Sequence, residues 1–294
     1  MIRVMTHYPA PPSEQVHRDV ERALAEDIGA GDATASLIDA NSTASASVIT
    51  RNNAVVCGRP WFDACFRVLD ARMAIEWLVD DGTAISAGQQ LCFLHGNTRA
   101  LLSGERCALN FLQTLSATAT VTAQHVAAIQ GTRAVILDTR KTLPGLRVAQ
   151  KYAVRCGGGA NHRVGLFDAI LIKENHIAAA GSLGAAVHSA RAQHPRLSVE
   201  VEVETFDELD QALAAGVDRV MLDDFSIGDM RKAVVHVAGR VPLEASGGVG
   251  LDRLRQIAET GVDYISIGAL TKHIRAIDLS MRILANAFSQ IRPR

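Results

Sequence analysis

The sequence predicts an α/β protein in two parts, an N-terminal α+β sandwich domain and an incomplete α/β barrel of parallel strands. Three observations carry that prediction. From residue 134 onward short apolar strands alternate with amphipathic helices, and near-continuous apolar strands belong in a parallel sheet covered on both faces. The later strands recur every roughly 20 to 25 residues, the length of one βα unit, and about six are present. Ahead of residues 115–130 the rhythm is different, with several β-like segments and few helices. A doubly wound sheet is the alternative, but the Gly-rich fingerprint it would need after its first strand is absent.

Taken in order, Ser13 to Glu26 reads as a helix, apolar at Val16, Val20, Ala23 and Leu24, with Ser13 as its N-cap and Gly29 and Gly31 ending the pattern. β-like segments follow at 44–51, 54–58, 73–78 and 90–94, with a helix-like stretch from Trp61 to Leu69. Ala100 to Ile129, rich in Ala, Leu, Thr and Gln, forms one or two helices linking the halves. The barrel strands then fall at 134–137, 169–172, 198–203, 219–222, 242–245 and 264–267, with helices at 183–193, 206–215, 227–237 and 251–260. A last helix is expected from Ile274 to Ser289, returning towards the N-terminal domain. The domains are therefore set at 1–115, joined by 274–294, and at 116–273.

Bulk composition narrows the function. An apolar fraction of 48% supports a large core, and a formal net charge of −1 gives no global drive towards nucleic acid. Any anion recognition must be local. The five cysteines are odd in number and contain no Cys-x-x-Cys pair, which points to reduced thiols in a cytoplasm. Met1 to Pro12 lacks the apolar core of a signal peptide, and no apolar run approaches the ~18 residues of a membrane span.

The chemistry is written at the strand ends. In an α/β barrel the active site lies at the C-terminal ends of the strands. Arg140 and Lys141 follow the first barrel strand and Lys173 the second; Glu202 lies on the third and Asp223 closes the fourth. Ser246-Gly247-Gly248 follows the fifth and Gly268-Ala269 the sixth. Six such placements in succession are not what a solvated surface scatter produces. The two glycine-containing turns leave backbone N–H groups open ahead of helix starts, which suits a phosphate. Glu202 and Asp223, on successive strands, are placed to share a divalent metal, and Mg²⁺ is content with one or two carboxylates plus water and phosphate oxygens. Glu200, Glu202 and Glu204 alternate, so a regular strand would turn all three inward. An internal salt-bridge network is the competing reading of these carboxylates. His162-Arg163 follows the run Gly157-Gly158-Gly159, and an arginine there can hold a carboxylate bidentately. Arg106 stands in Gly104-Glu105-Arg106-Cys107, near an expected helix start.

These segments, in order and spacing, resemble the quinolinate phosphoribosyltransferase family. The matching text includes Gly104-Glu105-Arg106, Asp138-Thr139-Arg140-Lys141-Thr142, Asn161-His162-Arg163, Lys173-Glu174-Asn175-His176, Glu200 to Glu204, Leu222-Asp223-Asp224, Ser246-Gly247-Gly248 and Gly268-Ala269-Leu270-Thr271. The resemblance implies transfer of phosphoribosyl from 5-phosphoribosyl-1-pyrophosphate to quinolinate with decarboxylation, giving nicotinate mononucleotide, pyrophosphate and CO₂, with Mg²⁺. It implies Arg140, His162, Arg163 and Lys173 around quinolinate, with Thr139 and Lys141 beside them and Arg106 entering from a neighbouring subunit of a homodimer. Lys141, Glu202 and Asp223 become the catalytic group, with Glu202 and Asp223 holding the ribose hydroxyls or, as metal ligands, the Mg²⁺. Ser246, Gly247, Gly248, Gly268 and Ala269 would hold the 5-phosphate. A nicotinate phosphoribosyltransferase without decarboxylation and a non-catalytic anion-binding barrel are the rivals. No nucleic-acid or membrane partner is expected.

Overall fold

The protein is described by a computed structural model over residues 10–284. Its helices and strands run α1 (Ser13–Ile28), β1 (Thr43–Thr50), β2 (Ala54–Val55), α2 (Arg59–Leu69), β3 (Ala74–Trp77), β4 (Ala84–Ile85), β5 (Gln90–Asn97), α3 (Thr98–Ala128) and β6 (Val135–Leu137). They continue with α4 (Arg147–Cys156), β7 (Ile170–Ile172), α5 (Glu174–Ala180), α6 (Leu183–Gln193), β8 (Val199–Val203) and α7 (Phe206–Ala214). The last are β9 (Arg219–Asp223), α8 (Ile227–Val237), β10 (Leu243–Ser246), α9 (Leu251–Ala258), β11 (Tyr264–Ser266), α10 (Ala269–Lys272) and β12 (Leu279–Ile283). No helix among them is long and apolar enough to cross a membrane.

The described residues divide into two compact units. One holds those up to Val121, Leu143–Gly158 and those from His273 on; the other holds Thr122–Thr142 and Gly159–Lys272. The first contains a four-stranded antiparallel sheet in the order β12-β1-β5-β3. Its core is aromatic and aliphatic: Trp61, Phe62 and Phe66 of α2 are fully buried together with Leu91 and Leu94 of β5. Polar atoms in that core are paired, as burial demands. The Trp61 Nε1–H donates to Asp19 of α1 at 3.0 Å, and Asp81 accepts the Tyr152 hydroxyl at 2.9 Å and the Gly58 N–H at 3.1 Å.

Three expectations differ from the structure. The stretch from Ile274 to Ser289 was expected to be helical; its described part instead contains strand β12, antiparallel to β1 with Met281 opposite Val48. An apolar face every second residue, Leu279 and Met281, buries against the sheet, and the edge of β1 supplies the backbone partners that decide for strand over helix. Residues 285–289 lie outside the described part. Second, Leu143–Gly158, set within the barrel domain by sequence, belongs to the first unit. Helix α4 buries Ala149, Tyr152, Ala153 and Cys156 in that unit's core, and Tyr152 packs on Trp61 with ring centroids 5.8 Å apart. Ser13 is also the first helical residue of α1 rather than its cap, a position held by Pro12, while Gly29 ends the helix as expected, at a positive φ of 56°.

The second unit is built on six parallel strands in the order β6-β11-β10-β9-β8-β7. Among the described residues the end strands β6 and β7 do not pair, and the free side of β6 is bridged in parallel by Ala160. The barrel is therefore incomplete. Alternation settles which side chains go where. On β8, Val199, Val201 and Val203 are fully buried towards one face, while Glu200 and Glu202 point to the other and are themselves 5% and 9% exposed. Two carboxylates at successive inward positions of a buried strand cost desolvation that a purely structural barrel has no reason to bear.

Candidate active site

The inward-facing side chains of neighbouring strands fall into register. Glu200 stands beside Arg219, Glu202 beside Met221, and Asp223 beside Ser246. Above Glu202 the chain leaves β7 through Lys173, whose Nζ is ion-paired with Glu202. Below it, His162 Nε2 lies 2.8 Å from Glu200 and 3.6 Å from Glu244, and Arg219 donates to Glu244 at 3.1 Å. Arg219 also covers the Tyr264 ring at 4.3 Å. Both levels pair carboxylate with cation, so the internal network and the anion site are parts of one arrangement.

Burial shapes the charges. Glu244, wholly enclosed, is pushed up to about 7 by desolvation and then by the Glu200 carboxylate. His162 is pulled down by burial, but the Glu200 hydrogen bond and the Glu244 and Glu200 charges outweigh that and leave it above the usual histidine value. Arg163 is held below the usual guanidinium value by burial and by the neighbouring Arg140 charge. Two guanidiniums close enough to disfavour one another are a place where an anion gains twice.

The loop ends are held as tightly. Asp138, fully buried, accepts the backbone N–H of His162 at 2.9 Å and the Asn161 amide at 2.6 Å, which ties the loop of His162 and Arg163 to the strand end of Arg140 and Lys141. Thr139 Oγ1 accepts the Lys141 N–H at 3.0 Å, and Thr271 donates to the Lys141 carbonyl at 2.9 Å. The Lys141 stem crosses Gly268 so closely that a methyl there would sit 2.9 Å from its Cδ. Gly247 has φ +95°, and a side chain at that position would meet Asp224 Oδ1 at 2.0 Å. Both phosphate-type turns are thus glycine for a physical reason, one for close approach of Lys141 and one for backbone conformation.

Most residues singled out by sequence are brought together in the second unit: Thr139, Arg140, Lys141, His162, Arg163, Lys173, Glu202, Asp223, Ser246, Gly247, Gly248, Gly268 and Ala269. Arg106 is in the first unit, exposed on α3, nine residues into the helix rather than at its start, and it lines a cleft of about 390 Å³ with Asp19, Arg22 and Asp27. Glu204 departs from its expectation. It lies past the end of β8, exposed, and its N–H donates to Glu208 at 2.8 Å as part of the α7 cap. His162, expected to face the substrate, has Nε2 on the carboxylates and Nδ1 accepting the Arg163 N–H at 2.8 Å. Sequence reasoning assigned no role to Asp138, Glu244 or Arg219. Each precedes or sits in a motif that was noticed, but their burial, the signal that matters, is not visible in composition.

The metal ligands expected from sequence fit Mg²⁺ in part. Asp223 ends β9 half-buried, its carboxylate without a side-chain hydrogen bond or ion pair among the described residues, and one such carboxylate with phosphate oxygens and water satisfies Mg²⁺. Glu202 is already neutralised by Lys173 and stands two register positions further in, so it joins such a shell only by exchanging that partner. His162, Glu200 and Glu244 place one ligand atom each within 4.8 Å of the others. The Arg219 and Arg163 donors occupy that cluster, which makes it a hydrogen-bond network.

Fold and site together define an incomplete α/β barrel with cations and carboxylates gathered at its strand ends, an arrangement suited to an anionic ligand. The N-terminal-domain pattern of quinolinate phosphoribosyl transferase matches residues 32–116 and the C-terminal-domain pattern residues 118–282. The nicotinate-nucleotide pyrophosphorylase (carboxylating) of Mycobacterium leprae is 41% identical over 272 residues, covering 89% of this chain and 95% of that relative. The corresponding Bacillus subtilis protein, named as probable, is 40% identical over 270 residues, covering 92% and 93%. The solved nicotinate-nucleotide pyrophosphorylase of Francisella tularensis superposes with a TM-score of 0.91 at 49% identity, covering 94% of this chain and 98% of that one. The chain belongs to the quinolinate phosphoribosyltransferase family.

Proposed function

We propose that this enzyme transfers phosphoribosyl from 5-phosphoribosyl-1-pyrophosphate to quinolinate with loss of CO₂, giving nicotinate mononucleotide and pyrophosphate for NAD biosynthesis. The observation that carries the substrate is the gathering of cations at the strand ends, Arg140 after β6, Arg163 in the loop tied to it through Asp138, and Lys173 after β7, with Arg163 held below the usual guanidinium value by burial and by the neighbouring Arg140 charge. A planar dicarboxylate relieves that repulsion at both arginines, and a monocarboxylate relieves half of it. Lys173 flanks the same pocket from β7, and the part of His162 is developed below.

On the donor side, the turns Ser246 to Gly248 and Gly268-Ala269 offer N–H groups to the 5-phosphate. Lys141, lying over Gly268, neutralises the departing pyrophosphate together with Lys173. Asp223 and Glu202 would hold Mg²⁺, which when bound offsets the pyrophosphate charge. The same carboxylates stabilise positive charge developing at ribose carbon 1 as its bond to pyrophosphate breaks. The quinolinate nitrogen supplies the electron pair for the new C–N bond and becomes cationic. The ring then releases the 2-carboxylate as CO₂, and a proton replaces it at carbon 2. Lys141 is one candidate donor; His176, the other, is engaged through Nδ1 with the Lys173 N–H at 3.1 Å.

We place the working form as a homodimer in which Arg106 completes the partner's pocket, an arrangement supported by its exposure and its position on a cleft rim. Five buried free thiols favour a reducing compartment, the cytoplasm. The test is release of CO₂ and pyrophosphate from donor and Mg²⁺ with quinolinate or with nicotinate. Equimolar release with quinolinate alone supports the reading; turnover of nicotinate alone overturns the substrate.

A further inference from the structure

We propose that His162 is a positioning residue that sets Arg163 in place, and that Glu200 and Glu244 are the clamp that holds it. The proposal rests on the quinolinate reading above. Both imidazole nitrogens are engaged internally. Nε2 faces Glu200 at 2.8 Å and Glu244 at 3.6 Å, and Nδ1 accepts the backbone N–H of Arg163 at 2.8 Å. The side chain is 9% exposed, so neither nitrogen is presented to the open pocket. A histidine in this arrangement has no donor left for a substrate carboxylate.

The clamp is built from costly parts. Glu244 is 0% exposed and Glu200 5%, and one oxygen of each, Oε1, has no hydrogen-bond partner among the described residues. Two enclosed carboxylates sharing one imidazole are tolerated because Arg219 donates to Glu244 at 3.1 Å. Residue 162 is pinned at both ends, since Asp138 accepts its backbone N–H at 2.9 Å while Glu200 takes its ring. What this fixes is the next residue. The Arg163 backbone is bound to the ring, its Nη1 donates to the Ala169 carbonyl at 3.3 Å, and Val164 and Gly165 donate to Asp168 at 2.7 and 2.9 Å. A guanidinium that must stay beside a second one needs such external restraint.

The experiment is a double-mutant cycle read by calorimetric quinolinate binding and by KM, with thermal midpoints as a check on folding. His162→Ala should weaken quinolinate binding by about 10-fold or more, the scale of one lost buried hydrogen bond, and leave KM for the phosphoribosyl donor within about 2-fold. His162→Asn keeps an acceptor for the Arg163 N–H and carries no charge, so it should recover most of that loss. In an Arg163→Ala background the His162→Ala penalty should vanish. Additive penalties, or Asn losing as much as Ala, would show a direct substrate contact and overturn the proposal. Nitrogen-15 NMR of the ligand-free protein, recorded above the pH at which the His162 ring loses its charge, decides the clamp independently of substrate: a neutral ring with its proton on Nδ1 instead of Nε2 defeats it. Failure of the wild type to bind quinolinate while Nδ1 is an acceptor would sink the substrate reading and leave the clamp standing.

Discussion

Gly268→Ala displaces Lys141 without changing Lys141 itself, and keeps the backbone N–H that residue 268 offers the 5-phosphate. The added methyl would lie 2.9 Å from Lys141 Cδ and 3.5 Å from Thr139 Oγ1. Ordinary carbon–carbon contact begins at roughly 3.5–4.0 Å, so the lysine stem must retreat by about 0.6–1.1 Å. Gly268 is not among the residues with positive φ, so alanine costs no backbone strain. The clash is with a flexible side chain, and stability should change by less than about 1 kcal/mol. The ammonium, by contrast, moves relative to the pyrophosphate it must neutralise. A displacement of about 1 Å at a reacting centre costs up to ~100-fold. We expect kcat/KM for the phosphoribosyl donor to fall ~10- to 100-fold, with quinolinate affinity nearly unchanged. Lys141→Ala sets the floor, at least ~100-fold below wild type. Gly247→Ala is the contrast: at φ +95° and 2.0 Å from Asp224 Oδ1 it should also lose about 1–3 kcal/mol of stability. The assay is initial rate against donor concentration, beside thermal unfolding. Donor kinetics for Gly268→Ala within 2-fold of wild type would refute the placement of Lys141.

Two further outcomes follow from the same geometry. Arg106→Ala, an exposed change, should fold normally and be inactive as a homodimer; mixed with equal Lys141→Ala subunits and re-equilibrated, it should regain about a quarter of wild-type activity. Half the dimers are hybrids and each has one intact site, so zero recovery argues against a shared site. Glu244 carries a folded-state value of about 7 against an ordinary 4.5, so between those values the native state keeps a proton the unfolded chain has lost. Stability from this group is therefore full below about pH 4.5 and is lost as pH rises through 7. Thermal midpoints measured from pH 5 to 8 should fall more steeply for wild type than for Glu244→Gln, and parallel curves would contradict the burial argument.

What sequence could and could not convey follows from which interactions each element answers to. The six barrel strands and four of the helices between them were legible because parallel strands buried on both faces must be apolar throughout, and such helices must be amphipathic. Element type failed at 279–283, where Leu279 and Met281 satisfy a two-residue repeat as well as a loose helical one; the vacant edge of β1, more than 200 residues away in sequence, decided it. Domain membership failed at 143–158 because nothing local in α4 says that Tyr152 will find Trp61 and Asp81. The site shows the same division. Charged residues at strand ends could be placed at one mouth from strand order alone, and Arg140, Lys141, Lys173, Glu202 and Asp223 were.

The level beneath could not. Glu244, Arg219 and Asp138 matter through burial and through partners on other strands, and those depend on register. That lower level changes how the site is understood. A cation's residue type does not reveal whether it meets the substrate or holds another residue that does. His162 and Arg163 are adjacent in sequence and both basic, yet the ring of one is enclosed by carboxylates while the guanidinium of the other lies beside Arg140. The proposed anion site is thus two-tiered, with half-buried cations above a buried, carboxylate-balanced tier that keeps them in place. On the proposed reading, specificity for a dicarboxylate rests on Arg140 and Arg163 acting together, and the lower tier is what holds Arg163 in place.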